Sequence, residues 1–331
     1  MVRLLMLLSL CLCGVAGSTA HAAQTVLDLN EWGGGAAEHR ALALFKSRVA
    51  RIGQDAPTLR LHYQGELGKA PHSLEKMMTG ELDLVSGGLE NFMPLIIDEV
   101  SGLTMPFLLP DLAATRAYLA SPLMEEGREK VLRSRQIRFL VMDAARQPSR
   151  LILSLKPVRG AQDLTGMTVL VLPALTNAGV RIWRKLGVTL GGAPGSGDLA
   201  LVPGKLDAIV VAGLGDLPRK RLPAGVHYIG EIHDRPDLWT IAIREAVWQG
   251  WRPAVRDAVA AAAAEAGRTL TRQAEKERAA LLNQAHDQGI EIGQVDTLAI
   301  HRGLEPLYAS FIEYGDINPR VLQAAQAAAG D

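Results

Sequence analysis

The stretch GGAPGSGDLA, residues 191–200, has the glycine density of a phosphate-binding loop. Such a loop reads G-x-x-x-x-G-K-[ST]. From Gly192 the chain supplies Gly192, Gly195 and Gly197, then Asp198 and Leu199 where the lysine and the hydroxyl residue belong. That lysine neutralises the terminal phosphates and the hydroxyl holds magnesium, so an aspartate there repels the ligand. The same stretch contains GSG around Ser196, without the strand-to-helix flanks of a nucleophile elbow. GLGDLPRK, residues 213–220, lacks the third glycine of a dinucleotide fingerprint and runs into Pro218. Beyond His21, the histidines (His39, His62, His72, His227, His233, His286 and His301) form no H-E-x-x-H pattern. His301 with Glu305, and His286 with Asn283, share a helix face, a spacing that ordinarily makes a solvated surface contact. The acid pairs Asp98–Glu99 and Glu125–Glu126 read as surface charge. No constellation for catalysis, metal binding or a cofactor emerges from the spacing, although serine, histidine and aspartate could still meet in space.

Composition narrows the partners. The 331 residues carry 35 basic and 35 acidic side chains, so no cationic excess draws nucleic acid or an anionic membrane. At 48% hydrophobic and 21% charged, the chain can bury a full core, and its length suggests about two domains. Residues 1–22 read as an export signal: Arg3, an apolar run from Leu4 to Ala16, then Ala20-His21-Ala22 for cleavage. Both cysteines, Cys11 and Cys13, lie inside it, so the exported product has no thiol or disulfide chemistry and suits a bacterial periplasm.

Positioning elements follow from periodicity. Short β-rich runs alternate with helical patterns, an α/β signature from which mostly parallel sheets are expected. A strand at Val26–Leu29 enters a glycine loop, and an amphipathic helix follows to Gly53. TLRLHYQG alternates as a second strand, a helix capped near Ser73 closes at Gly80, and a strand spans Leu82–Val85. RLILSL and MTVLVLP, a helix over 175–186 stopped by Gly187, and a strand with Ile209–Val211 buried make the second part. Pro253 opens a helical pattern that runs to Gly289, about 36 residues and roughly 54 Å at 1.5 Å per residue. A break near Gly267 is the alternative, because a glycine inside a helix is unfavourable. In open α/β sheets, ligands bind at the carboxyl ends of strands, which here are the loop tips.

The order of five segments resembles one family. YQGELGKAPHSLEKMMTGELDLVSGG, LTMPFLLPDLAATRAYL, LKPVRGAQDLTGMTVLVLP, ALVPGKLDAIVV and the helical end beginning WRPAVRDAVAAAAAEA are similar to the solute-binding proteins of tripartite ATP-independent periplasmic (TRAP) transporters, DctP type. The resemblance covers nearly all of the chain after residue 22. It implies an α/β, two-lobe periplasmic binding protein fold with a cleft between the lobes and a long C-terminal helix spanning both. Lobe I would comprise 23–149, completed by part of 235–280. Lobe II would comprise 150–234, completed by part of 281–325. The implied role is capture of a small organic ligand, carboxylate-containing in the family, by lobe closure, for delivery to membrane subunits. A sensor module of the same fold, or a periplasmic hydrolase, are the alternatives.

Carried over residue by residue, the family's first cleft arginine falls at Arg150, the leading ligand contact, with an interlobe salt bridge as the alternative. The hallmark arginine of K-[IV]-R-V falls at Leu170, its lysine at Thr168, and a frequent polar contact at Val211. Two polar grips are thus aliphatic, which predicts a less polar ligand or one whose acid turns toward Arg150. Arg146 is a substitute grip or a solvated loop arginine. Trp32, Gly33 and Gly34 at the first strand tip, Glu66 in the GELG turn, and Ser86, Gly87 and Gly88 after the third strand complete lobe I. Trp32 either stacks on the ligand or belongs to the core; Phe107 reads as core before ligand wall. Asn177 donates to the ligand or begins a helix. In GGAPGSGDLA, Gly195–Gly197 would turn the chain and Asp198 would cap the next helix.

Overall fold

The structure, a computed structural model, describes residues 25–53, 56–91, 98–192, 199–217 and 220–330. The export segment, the Gly195–Gly197 turn with Asp198, and Pro218 lie outside the described residues.

Two mixed sheets carry the molecule. The first has strand order β2-β1-β3-β10-β4, with β1 Val26–Glu31, β2 Thr58–His62, β3 Leu84–Gly88, β4 Ile137–Gln147 and β10 Asp237–Arg244. The second has order β11-β9-β5-β8-β6-β7, with β5 Arg150–Ser154, β6 Thr168–Val171, β7 Thr189–Leu190, β8 Ala208–Val211, β9 Tyr228–Ile232 and β11 Glu291–Gln294. The expectation of mostly parallel sheets holds for five of the nine strand pairings among the described residues, and four are antiparallel. β10 runs antiparallel to β3 and β4, and β5 antiparallel to β8 and β9. The cause is the chain path. β4 passes into β5 through Pro148–Ser149, and β9 returns into β10 through residues 233–236, so the chain crosses between the sheets twice and β5 and β10 each enter against their neighbours.

Helices cover both faces of each sheet. In lobe I, α1 (Ala36–Ala50) packs Leu42, Phe45 and Val49 on the face that carries Leu27, Leu29 and Leu84. On the opposite face lie α2 (Ala70–Thr79), α3 (Leu112–Leu119) and α4 (Pro122–Arg135), whose Leu74, Tyr118 and Val131 join the largest core cluster. In lobe II, α5 (Ala161–Leu164) and α6 (Asn177–Lys185) add Leu164, Ile182 and Trp183 to that cluster. After the short α7 (Glu245–Gln249) comes α8, Pro253–Asp287, 35 residues without interruption. Its Val259, Ala266 and Leu270 pack on the first sheet, while Ala285 joins the cluster of the second, so one helix spans both lobes. The break at Gly267 does not occur. A Cβ there would meet Val141 Cγ2 at 2.9 Å and Ala144 Cβ at 3.1 Å, so the glycine lets α8 approach β4 closely. The chain ends in α9 (Thr297–Glu313) and α10 (Pro319–Ala329).

Local expectations need four further corrections. The α2 cap is Lys69, with Pro71 accommodated in the first turn; Ser73 lies inside the helix, where its Oγ donates to Gly68 O at 2.7 Å and accepts from Asn30 Nδ2 at 2.8 Å. The third strand starts at Leu84 and runs through Ser86, Gly87 and Gly88, which are paired with β10 and not part of a loop. Arg146 sits on β4, not on a solvated loop. His301 is fully buried, its Nδ1 2.8 Å from the Phe107 carbonyl oxygen, so the ring donates a hydrogen bond into the core and makes no surface contact. Phe107 itself is core: it has no exposed surface and packs on Trp183 with ring centroids 5.3 Å apart.

Candidate functional site

The two strand crossings bring charged side chains from distant parts of the chain to one place. Arg146, near the end of β4, donates from Nε to Asp237 Oδ1 at 2.7 Å and from Nη2 to Glu90 Oε1 at 3.0 Å. Arg150 opens β5. Its Nη1 donates to Asp234 Oδ2 at 2.9 Å, and its Nη2 to the carbonyls of Leu172 and Val210. Arg235 donates to Pro173 O at 3.0 Å and lies 3.8 Å from Asp234. Two guanidiniums therefore hold the tip of β6, where Leu172 and Pro173 leave the sheet. Charge gathers here at the strand ends: Arg150 and Asp237 are the first residues of β5 and β10, paired with Ile232 and Gln147 at the ends of β9 and β4.

A fourth arginine pins the crossing from behind. Arg278 of α8 donates to Ser149 Oγ and O, to Gln147 Oε1 and to Ala212 O, and lies 3.5 Å from Glu231. Its acceptors come from both lobes and from the link between them. Burial lowers its pKa, with Glu231 and Asp237 opposing.

Burial and neighbouring charges shift the ionisable groups of this region. Glu90 and Asp216 keep accessible surface, yet burial raises the pKa of both carboxyls; for Glu90 it outweighs Arg146, for Asp216 the N–H bonds of Ala212 and Gly213. Burial works to lower Arg146, but Asp237, Glu90 and Glu38 outweigh it and hold the guanidinium above its ordinary value. Arg235 is lowered by burial and by its neighbour Arg150. Side chains that touch solvent while surrounded by protein are what the wall of a cleft presents.

The first-lobe wall is built from glycines. Trp32 lies so close over β3 that a Cβ on Gly87 would fall 1.8 Å from its Nε1, and a Cβ on Gly88 would fall 2.1 Å from Glu90 Oε1. Gly33 has φ +135°, a backbone conformation that favours glycine, and opens into space. The loop carrying Trp32 is fixed by Glu31, a fully buried carboxylate that accepts from the N–H groups of Gly33, Gly34 and Gln64.

The remaining residues singled out in the sequence are dispersed. Leu170 and Val211 point into the apolar layer shared with Leu151, Ile209 and Ala285. Ser86 is buried, on the same face of β3 as Leu84. Glu66 is exposed in its turn, 3.3 Å from His62. Asn177 is the exposed first residue of α6, behind its cap Thr176. Sequence reasoning passed over Asp234, Arg235, Asp237, Glu90, Asp216 and Arg278. The run Asp234-Arg235-Pro236-Asp237 between two buried strands was the available signal. Among the described residues no group of three or more His, Cys, Asp or Glu side chains could hold a metal. Ser149 Oγ donates to Glu231 Oε1 at 2.9 Å and accepts from Arg278 Nη1 at 2.9 Å.

Comparison with known proteins follows the same lines. Residues 30–188 match the family described as bacterial extracellular solute-binding protein, family 7. No curated protein sequence matches the chain. Among solved structures, a TRAP periplasmic solute-binding protein from Ochrobactrum anthropi is similar with TM-score 0.78 at 14% identity, over 93% of this chain and 95% of that one; its own C-terminus is bound in its ligand-binding pocket. One from Escherichia fergusonii, in an apo open structure, gives TM-score 0.75 at 16% identity over 92% and 99%. One from Pseudomonas putida F1, with bound D-glucuronate, gives 0.66 at 17% over 91% and 97%.

Proposed function

We propose that the chain, whose residues 30–188 match the bacterial extracellular solute-binding proteins of family 7, is the extracytoplasmic solute-binding subunit of a TRAP-type secondary transporter. It captures a small organic acid by closure of its two lobes and passes it to membrane subunits without chemical change. The observation that carries this reading is the arginine and carboxylate cluster at the strand crossings. It stands where both lobes meet, and a guanidinium gives a carboxylate a planar, two-point grip. Structural relatives with bound D-glucuronate, beta-D-galacturonate and D-erythronate support an organic acid as the solute class. A periplasmic location fits the export signal, and no helix among the described residues is long and apolar enough to cross a membrane. Hinge closure suits the architecture, because the lobes are joined by a few connections that can bend: the two strand crossings, α8, and the return from β11 to α10, which packs on α3.

The test is a distance. With Lys69→Cys and Lys185→Cys labelled on opposite lobes, a solute identified by thermal shift should shorten the label separation. A bound solute that leaves the separation unchanged contradicts closure.

A further inference from the structure

Around the strand crossings every arginine already has an acid. Arg146 holds Glu90 and Asp237, Arg150 holds Asp234, and Arg235 lies beside the same Asp234 carboxylate. Asp216 adds a further carboxylate in the field of Asp237 and Arg150. With Arg278 and its partner Glu231 counted, the five acids Glu90, Asp216, Glu231, Asp234 and Asp237 outnumber the four guanidiniums of Arg146, Arg150, Arg235 and Arg278. Accessibility is split in the same sense. The Glu90 side chain is 37% exposed and Asp216 is exposed, whereas Arg146, Arg235 and Arg150 are 22%, 13% and 3% exposed. A solute that is only an anion would meet accessible carboxylates in a place where burial already disfavours them.

Two buried atoms point the same way from independent ground. Nε of Arg150 and Oδ1 of Asp234 have no hydrogen-bond partner, although their side chains are 3% and 0% exposed. One is a donor and one an acceptor. Buried polar groups left unpaired are costly, and a carboxylate can answer only the donor. A solute answering both must carry an acceptor and a donor.

We propose that the solute is a small zwitterion, an amino-bearing organic acid. Its carboxylate is taken at the accessible guanidinium surfaces of Arg146 and Arg235, and its ammonium is received by Glu90 and Asp216. Such a solute adds no net charge to a cluster already near balance, and it carries both an acceptor and a donor into a cluster whose buried Arg150 Nε and Asp234 Oδ1 show both kinds of unmet group. The raised carboxyls of Glu90 and Asp216 agree with this, because an adjacent cation favours their ionised form. The inference rests on the solute-binding reading above.

The experiment is calorimetric titration of the exported chain with matched pairs: amino acids of three to six carbons, each against the hydroxy acid of the same skeleton, with D-glucuronate as a sugar-acid arm. The amino member of the tightest pair should bind about ten- to a hundredfold more strongly than its hydroxy partner, the range of one charge-assisted hydrogen bond. Asp216→Asn and Glu90→Gln, each checked for an unchanged melting profile without solute, should both erase most of that preference. Hydroxy acids or D-glucuronate binding as tightly as the amino acids overturns the inference and leaves the solute-binding reading intact. Binding by no compound in any arm overturns both.

Discussion

Removing the carboxylate of Asp234 is the sharpest perturbation of the strand crossings. Arg150 and Asp234 are 3% and 0% exposed and sit 2.9 Å apart, so solvent screens their attraction little. In Asp234→Ala the Arg150 guanidinium keeps only the Leu172 and Val210 carbonyls as acceptors, with Arg235 nearby as an uncompensated like charge. Breaking a buried pair from one side costs about 3–5 kcal/mol. At roughly 2–4 °C per kcal/mol for domains of about 150–250 residues, melting should fall by about 6–20 °C. The assay is calorimetry of the solute-free protein beside the double variant Arg150→Met/Asp234→Leu. The double variant should recover most of the loss, because apolar side chains of similar volume replace a buried pair without leaving an orphaned charge. A melting point for Asp234→Ala within about 2 °C of the parent would refute the reasoning, since it corresponds to about 1 kcal/mol or less. Arg150 would then be held by solvent or by nothing, and would be free to act chiefly on the solute.

Three other outcomes follow from the packing and the charges. Gly87→Ala puts a Cβ 1.8 Å from Trp32 Nε1, so the indole must leave β3; a changed tryptophan emission and weakened solute binding should report it, and an unchanged spectrum contradicts the packing. Gly267→Ala should destabilise by about 1–3 kcal/mol in urea unfolding, because overpacking against Val141 and Ala144 outweighs the gain of about 1 kcal/mol in helix propensity. Burial works to raise Glu245, but the paired bonds from Arg138 Nε and Nη2, at 2.7 and 2.8 Å, together with Gln249, hold it below its ordinary 4.5. A depressed carboxyl contributes stability that is full above its unfolded pKa and is lost as pH falls through the folded one. Glu245→Gln should therefore flatten the fall in urea midpoint below about pH 4.5, and an unchanged slope contradicts the pairing.

The elements were legible in the sequence where one local rule decided them. Pro253 at the start of α8, Gly187 after α6 and the apolar run Ile209–Val211 each act through the nearest few residues. Gly267 misled because its reason lies across the molecule, on β4. Gly87 and Gly88 read as a loop for a similar cause: glycine is needed there by Trp32 and Glu90, which sit over a strand that continues. The candidate site was the least legible part. Arg150 pairs with a residue 84 positions away, Arg146 with one 91 away, and Arg278 with one 129 away. Such pairs arise only after the chain has crossed between the two sheets and back, so no window of sequence contains them. Arg150 was found by resemblance, whereas its partner Asp234 was not.

Titration calorimetry of the exported chain with small organic acids, amino-bearing members included, tests the central claim most directly when the solute is recovered and weighed afterwards. The account predicts one saturable site per chain, a rise in melting temperature that grows with solute concentration, and solute returned chemically unchanged. Heat without saturation across the whole panel, or recovery of a cleaved or rearranged product, would contradict it.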